Sequence, residues 1–257
     1  MAVPINTDLP LLRASDFDDA RVRHGFTTRH GGVSTGCVAS LTLARGPDTS
    51  DDELMENWRR AAKALGAAVE RVAIVNQVHG DRVVTVDEPG GPVAPVANAD
   101  AAITTVPGIV LGVRVADCLP VIFAAPGGVG VAHAGWRGAA AGIAEKTARA
   151  LAEAVGCGLC DVRAVLGPCI SAASYETGPD VVEALVASGV PSAVAGPSGT
   201  WTRAHADIRA AVAWQLGQAG VSVSHVDLDT ATRDDLFSYR RDAGRTGRQA
   251  GLVVLRA

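Results

Sequence analysis

Aromatic side chains are scarce in this chain: Phe, Tyr and Trp make up 4% of its 257 residues, whereas 48% of the residues are hydrophobic. The hydrophobic content suits one large domain or two small ones with a sizeable core. Because so few aromatic rings are available, small aliphatic side chains must fill most of that core. No fixed-period repeat and no charged linker divides the chain, so we expect a single domain.

Long apolar runs and an excess of positive charge are also absent. No stretch reaches the roughly 18 consecutive apolar residues that a membrane-spanning helix needs. The first residues lack the basic segment and apolar run of a signal peptide. The net charge of −4 offers no electrostatic argument for binding to nucleic acid or to a membrane surface. We therefore expect a soluble, cytoplasmic monomer whose partners are small molecules.

The five cysteines, an odd number, argue against a disulfide framework in a chain of this length. Cys157 and Cys160 form the motif CGLC. Zinc fingers and ribbons usually need a second such pair, and none accompanies it. We interpret the CGLC segment as part of a loop between a helix and a strand.

Hydrophobic periodicity and capping residues predict an α/β chain. The predicted helices cover residues 51–65, 138–155, 180–188 and 205–219. The predicted strands cover residues 71–78, 81–86, 100–105, 108–117, 120–125, 128–134, 162–167, 223–228 and 251–256, and surface loops are expected at 88–100 and 194–201. Several strands are joined by loops too short for a crossover helix, which favours antiparallel or mixed pairing. We expect mixed sheets flanked by helices in layers.

Three polar residues share one context, the end of a buried apolar strand where the chain turns. They are His79 in NQVHGDRV, Cys118 in VADCLPVIF and His133 in VAHAGWRG. Two imidazoles and a thiolate form a zinc set that leaves a fourth position for water or substrate, and the same donors suit copper. The separations of 39 and 15 residues match no compact zinc finger. The alternative is that they are structural histidines and a buried, hydrophobic cysteine.

The same residues also allow a different chemistry. Cys118 could be a thiol nucleophile with His79 or His133 as its base. Asp117, directly before the cysteine, could orient a histidine or carry a proton.

Two segments could bind an anion. The glycine-rich turn TTRHGGVSTG, residues 27–36, contains Arg29, His30 and Ser34 and could cradle an anion with its backbone N–H groups. The basic run SYRRDAGRTGR, residues 238–248, offers guanidinium groups that suit phosphate or carboxylate. A solvated loop is the alternative interpretation of the basic run.

Together these segments resemble the YfiH-like, or laccase-domain, family, whose members have been labelled polyphenol oxidases and purine nucleoside phosphorylases. The resemblance extends from about residue 24 to the C-terminus and is carried, in the family's order, by GFTTRHGGVS, NQVHGDRV, ADAAITTVPGIVLGVRVADCLPVIF, VAHAGWRG, GPCISAASYE and FSYRRDAGRTGRQAG. The chain departs from the usual pattern at Val38, at SLTLA (40–44), and in DTATRDDLFSYRRD, which lacks a Cys-Thr pair.

The resemblance implies a single-domain, layered α/β/β/α sandwich with mixed sheets over residues 1–257, with residues 1–23 as an N-terminal extension. It also implies that His79, Cys118 and His133 bind a metal ion, which is Zn²⁺ or alternatively Cu²⁺. Asn76 and Gln77 carry side-chain amides, and we expect these amides to orient His79 through hydrogen bonds.

The activity implied by the resemblance is phosphorolysis of purine nucleosides such as adenosine, inosine, guanosine and methylthioadenosine, with adenosine deamination as a second activity. In such a site Asp117 and Cys118 are the candidate catalytic residues. The residues expected to contact nucleoside or phosphate are Arg29, Ser34, Arg137 and Arg240.

Two other enzymatic functions remain open. One is a cysteine hydrolase that edits a peptidoglycan precursor peptide, with Cys118 as its nucleophile. The other is a copper-dependent polyphenol oxidase, although laccase chemistry needs a multi-copper cluster that one His/Cys/His set does not easily supply. A non-enzymatic metal-binding module is disfavoured because three protein ligands leave a coordination position open.

Overall fold

Two mixed β-sheets lie face to face in the computed structural model of the chain, which describes residues 9–17, 20–46, 49–196 and 202–257. The strands are β1 (Leu11–Leu12), β2 (Val22–Thr27), β3 (Val72–Ile74), β4 (Val83–Thr85), β5 (Ala101–Thr104), β6 (Val110–Val115), β7 (Leu119–Ala125), β8 (Gly128–Ala134), β9 (Arg163–Leu166), β10 (Ser222–His225) and β11 (Gln249–Leu255). The helices are α1 (Asp51–Ala64), α2 (Trp136–Ala140), α3 (Ile143–Val155), α4 (Pro179–Ala187), α5 (Ser192–Ala195) and α6 (Ile208–Gln218).

Both sheets combine parallel and antiparallel pairs. Sheet 1 has the strand order β1–β2–β11–β6–β3, and sheet 2 has the order β10–β9–β7–β8–β5–β4. In sheet 1 the pair β3–β6 is parallel and β6–β11 is antiparallel. In sheet 2 the pair β9–β10 is parallel and β7–β8 is an antiparallel hairpin. The prediction of mixed sheets is confirmed.

An apolar core fills the space between the sheets. Phe26 and Val253 of sheet 1 pack there with Ile122 of β7. The residues on either side of Ile122, Val121 and Phe123, point the other way and pack against the helices. A strand with both faces covered is an almost continuous apolar run, which explains the β7 sequence LPVIFAA.

Helices cover the outer face of each sheet. Leu54 and Trp58 of α1 pack on sheet 1, whereas Leu151 of α3 and Leu216 of α6 pack on sheet 2. This arrangement confirms the expected α/β/β/α sandwich. None of the helices in the described ranges is both long enough and apolar enough to cross a membrane.

Five of the ten aromatic side chains are fully buried. Trp58 and all four phenylalanines expose 1% of their surface or less: Phe17, Phe26, Phe123 and Phe237. Ala, Val, Leu and Ile side chains supply the remaining buried apolar surface, as the composition predicts.

Helix α1 begins and ends at local signals that are visible in the sequence. The Ser50 side chain accepts from the Glu53 backbone N–H, and the Glu53 carboxylate accepts from the Ser50 backbone N–H at 2.9 Å, which completes a capping box. Gly66, with φ of +76°, follows its end. The prediction of a helix at 51–65 is confirmed.

Several predicted boundaries differ from the structure. The helix predicted at 138–155 is divided into α2 and α3 because Gly142 has φ of +74°, which a right-handed helix does not contain. The strand predicted at 71–78 ends at Ile74. The loop predicted at 194–201 begins inside α5, and residues 197–201 lie outside the described residues. Strands β1 and β2 were not predicted.

Part of the predicted N-terminal extension belongs to sheet 1. Leu11 and Leu12 pair antiparallel with Thr27 and Phe26, whereas residues 1–8 and 18–19 lie outside the described ranges. The CGLC segment lies between α3 and β9, in the kind of loop predicted for it.

Candidate metal centre

The three predicted metal ligands meet at one end of the sheets. Cys118 directly precedes β7, and His133 lies near the end of β8. These strands pair antiparallel with Leu119 opposite Ala134. His79 lies in the loop after β3 of sheet 1. The possible ligand atoms of the three residues all lie within 4.8 Å of one another, so the fold gathers residues that are far apart in sequence.

A fully buried carboxylate, Asp100, supports two of the ligands. It bonds His133 Nδ1 at 2.8 Å and accepts backbone N–H groups of Val78, His79 and Gly80 at 3.1, 3.0 and 2.7 Å. With the Nδ1 proton held by Asp100, Nε2 of His133 is the nitrogen available to a metal. Sequence reasoning missed Asp100; its only signal is an acidic residue at the start of the apolar strand DAAITT.

The pKa values of the two histidines shift in opposite directions. Burial by itself lowers the pKa of His133, but the hydrogen bond with Asp100 and the neighbouring Cys118 raise it to about 9. Burial and the charge of His133 lower the pKa of His79. Because only a neutral imidazole nitrogen binds a metal, binding at His133 releases a proton.

Two turns at this site contain left-handed backbone conformations that L side chains rarely adopt. His79 has φ of +59° and Asp117 has φ of +88°. Such conformations cost about 1–3 kcal/mol each and persist only where surrounding contacts hold them. For His79 those contacts are the hydrogen bonds to Asp100. Asp117 accepts from Thr230 Oγ1 at 2.6 Å and from the Arg240 backbone N–H at 2.7 Å. Both of its carboxylate oxygens therefore position the turn before Cys118.

The local packing fits a metal ion. A Cβ atom on Gly135 would lie 3.0 Å from His79 Nδ1 and 3.4 Å from Cys118 Sγ. The absence of a side chain at Gly135 therefore leaves room beside two of the donors. Two imidazoles and one thiolate fit Zn²⁺ in a site with a free fourth position, and they also suit copper.

The donor set opens into a cavity of about 870 Å³, a volume typical of small-molecule sites. Tyr175 and Tyr239 contribute aromatic rings to its wall. Tyr239 is 56% exposed. Burial, followed by the nearby Cys118, raises the pKa of Tyr175, so its phenol remains a hydrogen-bond donor at neutral pH.

Two of the predicted substrate-binding residues line this cavity. Arg137 is exposed, and its guanidinium carbon lies 4.2 Å from the centre of the Trp136 ring. Arg240 is also exposed and donates to the Glu176 carbonyl at 2.9 Å. Because Arg137 is exposed, its guanidinium is accessible to a ligand. Its contact with the Trp136 ring also stabilises the turn.

The structure places the other two predicted substrate-binding residues elsewhere. Arg29 donates to the Ala39 carbonyl at 2.8 Å and lies over the Phe237 ring. Ser34 is buried and accepts from Asn57 Nδ2 at 3.0 Å. Neither belongs to the described residues that line the cavity. Their contacts stabilise the turn at residues 27–36. The sequence pattern alone does not distinguish this structural role from a role in anion binding.

The residues expected to orient His79 have other partners. The Gln77 amide pairs with both the backbone N–H and the carbonyl of Arg114, at 2.9 and 2.8 Å. Asn76 Nδ2 donates to Asn98 Oδ1 at 2.8 Å. Sequence reasoning also missed Arg114 as a cavity residue; its signal is a single arginine within the apolar strand VLGVRV.

A sequence profile described as "Multi-copper polyphenol oxidoreductase laccase" matches residues 23–256. The chain belongs to this laccase-domain family. It is 40% identical over 251 residues to a protein named purine nucleoside phosphorylase from Deinococcus radiodurans, covering 96% of this chain and 93% of that protein. A similarly named protein from Streptomyces coelicolor is 39% identical over 235 residues, covering 90% of this chain and 94% of the relative.

Two solved structures have the same fold as this chain. The hypothetical protein YfiH from Bacillus licheniformis superposes with a TM-score of 0.86 at 28% identity, covering 91% of this chain and 93% of that one. YlmD from Geobacillus stearothermophilus gives a TM-score of 0.84 at 32% identity, covering 93% of each chain. The family resemblance expected from the sequence motifs is therefore confirmed.

Proposed function

We propose that the chain is a metal-dependent purine nucleoside phosphorylase. The observation that carries the proposal is the open His79/Cys118/His133 donor set in the wall of a cavity large enough for a nucleoside. Relatives named purine nucleoside phosphorylase match 90% or more of this chain and support it. The proposal includes Zn²⁺ as the metal, a purine nucleoside and phosphate as substrates, a monomeric state and a cytoplasmic location.

In phosphorolysis a phosphate oxygen bonds to ribose C1′ as the bond from C1′ to the purine nitrogen breaks, and the purine leaves with a proton. A metal ion held by His79, Cys118 and His133 supplies Lewis-acid stabilisation of negative charge when it is bound. Asp100 contributes by fixing the orientation and tautomer of the His133 ring.

The cavity walls offer the contacts that a nucleoside needs. The exposed ring of Tyr239 presents a flat apolar face on which a purine can stack. The protonated phenol of Tyr175 offers a donor to a ribose hydroxyl or a purine nitrogen. Arg137 and Arg240 add positive charge, which attracts an anionic co-substrate.

The open fourth coordination position is also the reason to propose adenosine deamination as a second activity. A metal ion held by His79, Cys118 and His133 would supply activation of a water molecule, which would replace the amine of adenosine with release of ammonia. Adenosine and inosine are therefore both tested as substrates.

The other two functions find less support. Among the described residues, His79, Cys118 and His133 form the single group of three or more His, Cys or carboxylate side chains with metal-ligand spacing. A multi-copper oxidase needs several copper ions and therefore further ligands. A cysteine hydrolase would use the same cluster, with Cys118 as nucleophile and an imidazole as its base, but the relatives named purine nucleoside phosphorylase favour phosphorolysis.

The test begins with a measurement of the metal bound to the purified chain. The chain is then incubated with inosine or adenosine, in the presence and in the absence of phosphate. We expect free purine and ribose 1-phosphate in equal amounts, and only with phosphate. Cys118→Ala should lose metal and activity, whereas Cys37→Ala, a free cysteine away from the cavity, should retain both. Product from a peptide precursor alone, persisting after chelation, would overturn the proposal.

A further inference from the structure

Two arginines on neighbouring strands of sheet 1 face the cavity together. Arg114 lies in β6 and Arg248 directly precedes β11, and both line the cavity with the metal ligands. The β6–β11 register places Arg114 opposite Ala250 and Val115 opposite Gln249. Arg248 is two residues before Ala250, so the two arginines are diagonal neighbours on one face of the sheet.

Neither guanidinium has a carboxylate partner among the described residues. Arg114 Nη2 donates to the Val75 carbonyl at 3.2 Å. Arg248 Nη1 donates to the carbonyls of Thr246 and Gly247 at 3.1 and 2.8 Å. Each guanidinium carries five N–H groups, so these neutral acceptors leave most donors unused and do not neutralise either charge.

Several other partly buried arginines contact acidic side chains, although Arg29 and Arg71 donate to carbonyls as this pair does. The arginines that form such ion pairs include Arg60 with Glu56, Arg209 with Asp227 and Arg241 with Asp242. Two positive charges close together in a partly buried site repel each other unless an anion joins them.

The pKa values of both arginines agree with this geometry. Burial lowers the pKa of Arg114, and the charge of Arg248 lowers it further. Burial also lowers the pKa of Arg248, although Cys118 and Asp117 oppose that shift. Among the described residues, the only charged neighbour that shifts the pKa of Arg114 is thus another cation, which agrees with the lack of a carboxylate partner.

We propose that Arg114 and Arg248 together form the subsite for a phosphoryl oxyanion. A guanidinium donates two parallel N–H bonds to phosphate oxygens, and two guanidinium groups match the charge of a phosphate dianion. The proposal rests on the proposed function for its choice of inorganic phosphate over the phosphate group of a nucleotide. Arg248 lies in the basic run 238–248 that the sequence predicts to suit phosphate, whereas Arg114 was not predicted as a site residue.

The test measures binding of inorganic phosphate to the metal-loaded full chain by calorimetry, with inosine 5′-monophosphate as a second probe. Arg114→Gln and Arg248→Gln should each weaken binding of the preferred anion by about tenfold or more, since each removes charge-assisted hydrogen bonds. Arg71→Gln is the matched control, because Arg71 also donates to two carbonyls, those of Pro107 and Gly108, outside the cavity. Its affinity should stay within about twofold of the unmodified chain's.

Circular dichroism and metal content check that each variant is folded and loaded. If a glutamine variant fails either check, the binding measurement is replaced by a crystallographic one. A crystal of the unmodified chain is soaked in arsenate, an analogue of phosphate. Arsenic located by anomalous scattering within hydrogen-bond distance of both guanidinium groups supports the subsite. Arsenic bound elsewhere in the cavity, or unchanged anion affinity in both folded variants, overturns it.

The outcomes separate this inference from the proposed function. Arginine-dependent phosphate binding without any phosphorolysis supports the subsite and refutes the proposed activity. Phosphorolysis whose KM for phosphate is unchanged in both variants supports the activity and refutes the subsite. Arginine-dependent binding of the nucleotide but not of inorganic phosphate supports an oxyanion subsite whose natural source is a phosphate monoester.

Discussion

Single residues at the metal centre each serve more than one neighbour. Asp100 orients the His133 ring and also binds the N–H groups of the turn that carries His79. Gly135 provides space beside His79 and Cys118 at once. A substitution at either Asp100 or Gly135 should therefore disturb metal binding more than it disturbs the fold.

Replacing the buried carboxylate tests this coupling. Asp100→Asn replaces one carboxylate oxygen with an NH₂ group, which cannot accept a hydrogen bond from the backbone N–H groups or from His133 Nδ1. At least one hydrogen bond is therefore lost. We expect zinc affinity to fall by about 10–100-fold, measured by competition with a chromophoric chelator. Asp81→Asn is the control, because Asp81 forms a half-exposed ion pair with Lys146 outside the ligand set. Equal zinc affinity in the Asp100 variant and the unmodified chain would contradict the assigned role.

Adding one methyl group tests the space beside the donors. Gly135→Ala places a Cβ atom 3.0 Å from His79 Nδ1, so we expect bound metal to be lost while the circular dichroism spectrum is retained. Gly217→Ala is the matched control, since a Cβ there meets nothing within 4 Å in α6. It should stabilise the chain by about 0.5–1 kcal/mol and leave the metal content unchanged. A fully loaded Gly135→Ala protein would contradict the role assigned to Gly135.

At the scale of the element, local signals were sufficient for some helices and insufficient for others. Helix α1 is predictable because Ser50, Glu53 and Gly66 lie at its own ends. The division between α2 and α3 depends on Gly142 adopting φ of +74°, and an Ala-rich sequence gives no sign of that choice. Strand β2 has polar residues in its sequence and is ordered by pairing with β11, which is more than 220 residues away.

The capping box of α1 gives a prediction at this scale. Ser50→Ala removes the side-chain acceptor of the Glu53 N–H and should lower the free energy of unfolding by about 1 kcal/mol. Urea denaturation followed by circular dichroism measures the change. Ser50→Asp retains an acceptor and should recover most of the loss; the same deficit in both variants would mean that the cap is not its cause.

At the scale of the whole molecule, the metal centre joins the two sheets. His79 follows β3 of sheet 1, whereas Cys118 directly precedes β7 and His133 lies near the end of β8 in sheet 2. The sequence predicted the three ligands from the family motifs and from their places at the ends of predicted strands, although only His133 lies within a strand of the structure. Asp100, Arg114 and Tyr175 were not predictable as site residues, because their roles arise from contacts between segments that are distant in sequence.

Removal of the metal should therefore lower global stability. A metal present at about 100 times its Kd contributes about 2.7 kcal/mol, provided that it binds only the folded chain. We expect a chelator to lower the melting temperature of the zinc-loaded protein in differential scanning calorimetry. In Cys118→Ser the chelator should cause little further decrease, because a ligand is already missing. An equal chelator effect in both proteins would place the bound metal outside this centre.

The central claim is that this one metal centre supports phosphorolysis. The most direct test is a titration of the metal-free chain with Zn²⁺, in which ribose 1-phosphate formed from inosine and phosphate is measured at each step. The account predicts that activity rises in proportion to added metal and stops rising at one ion per chain. Full activity before any metal is added, or product that forms equally well without phosphate, would contradict it.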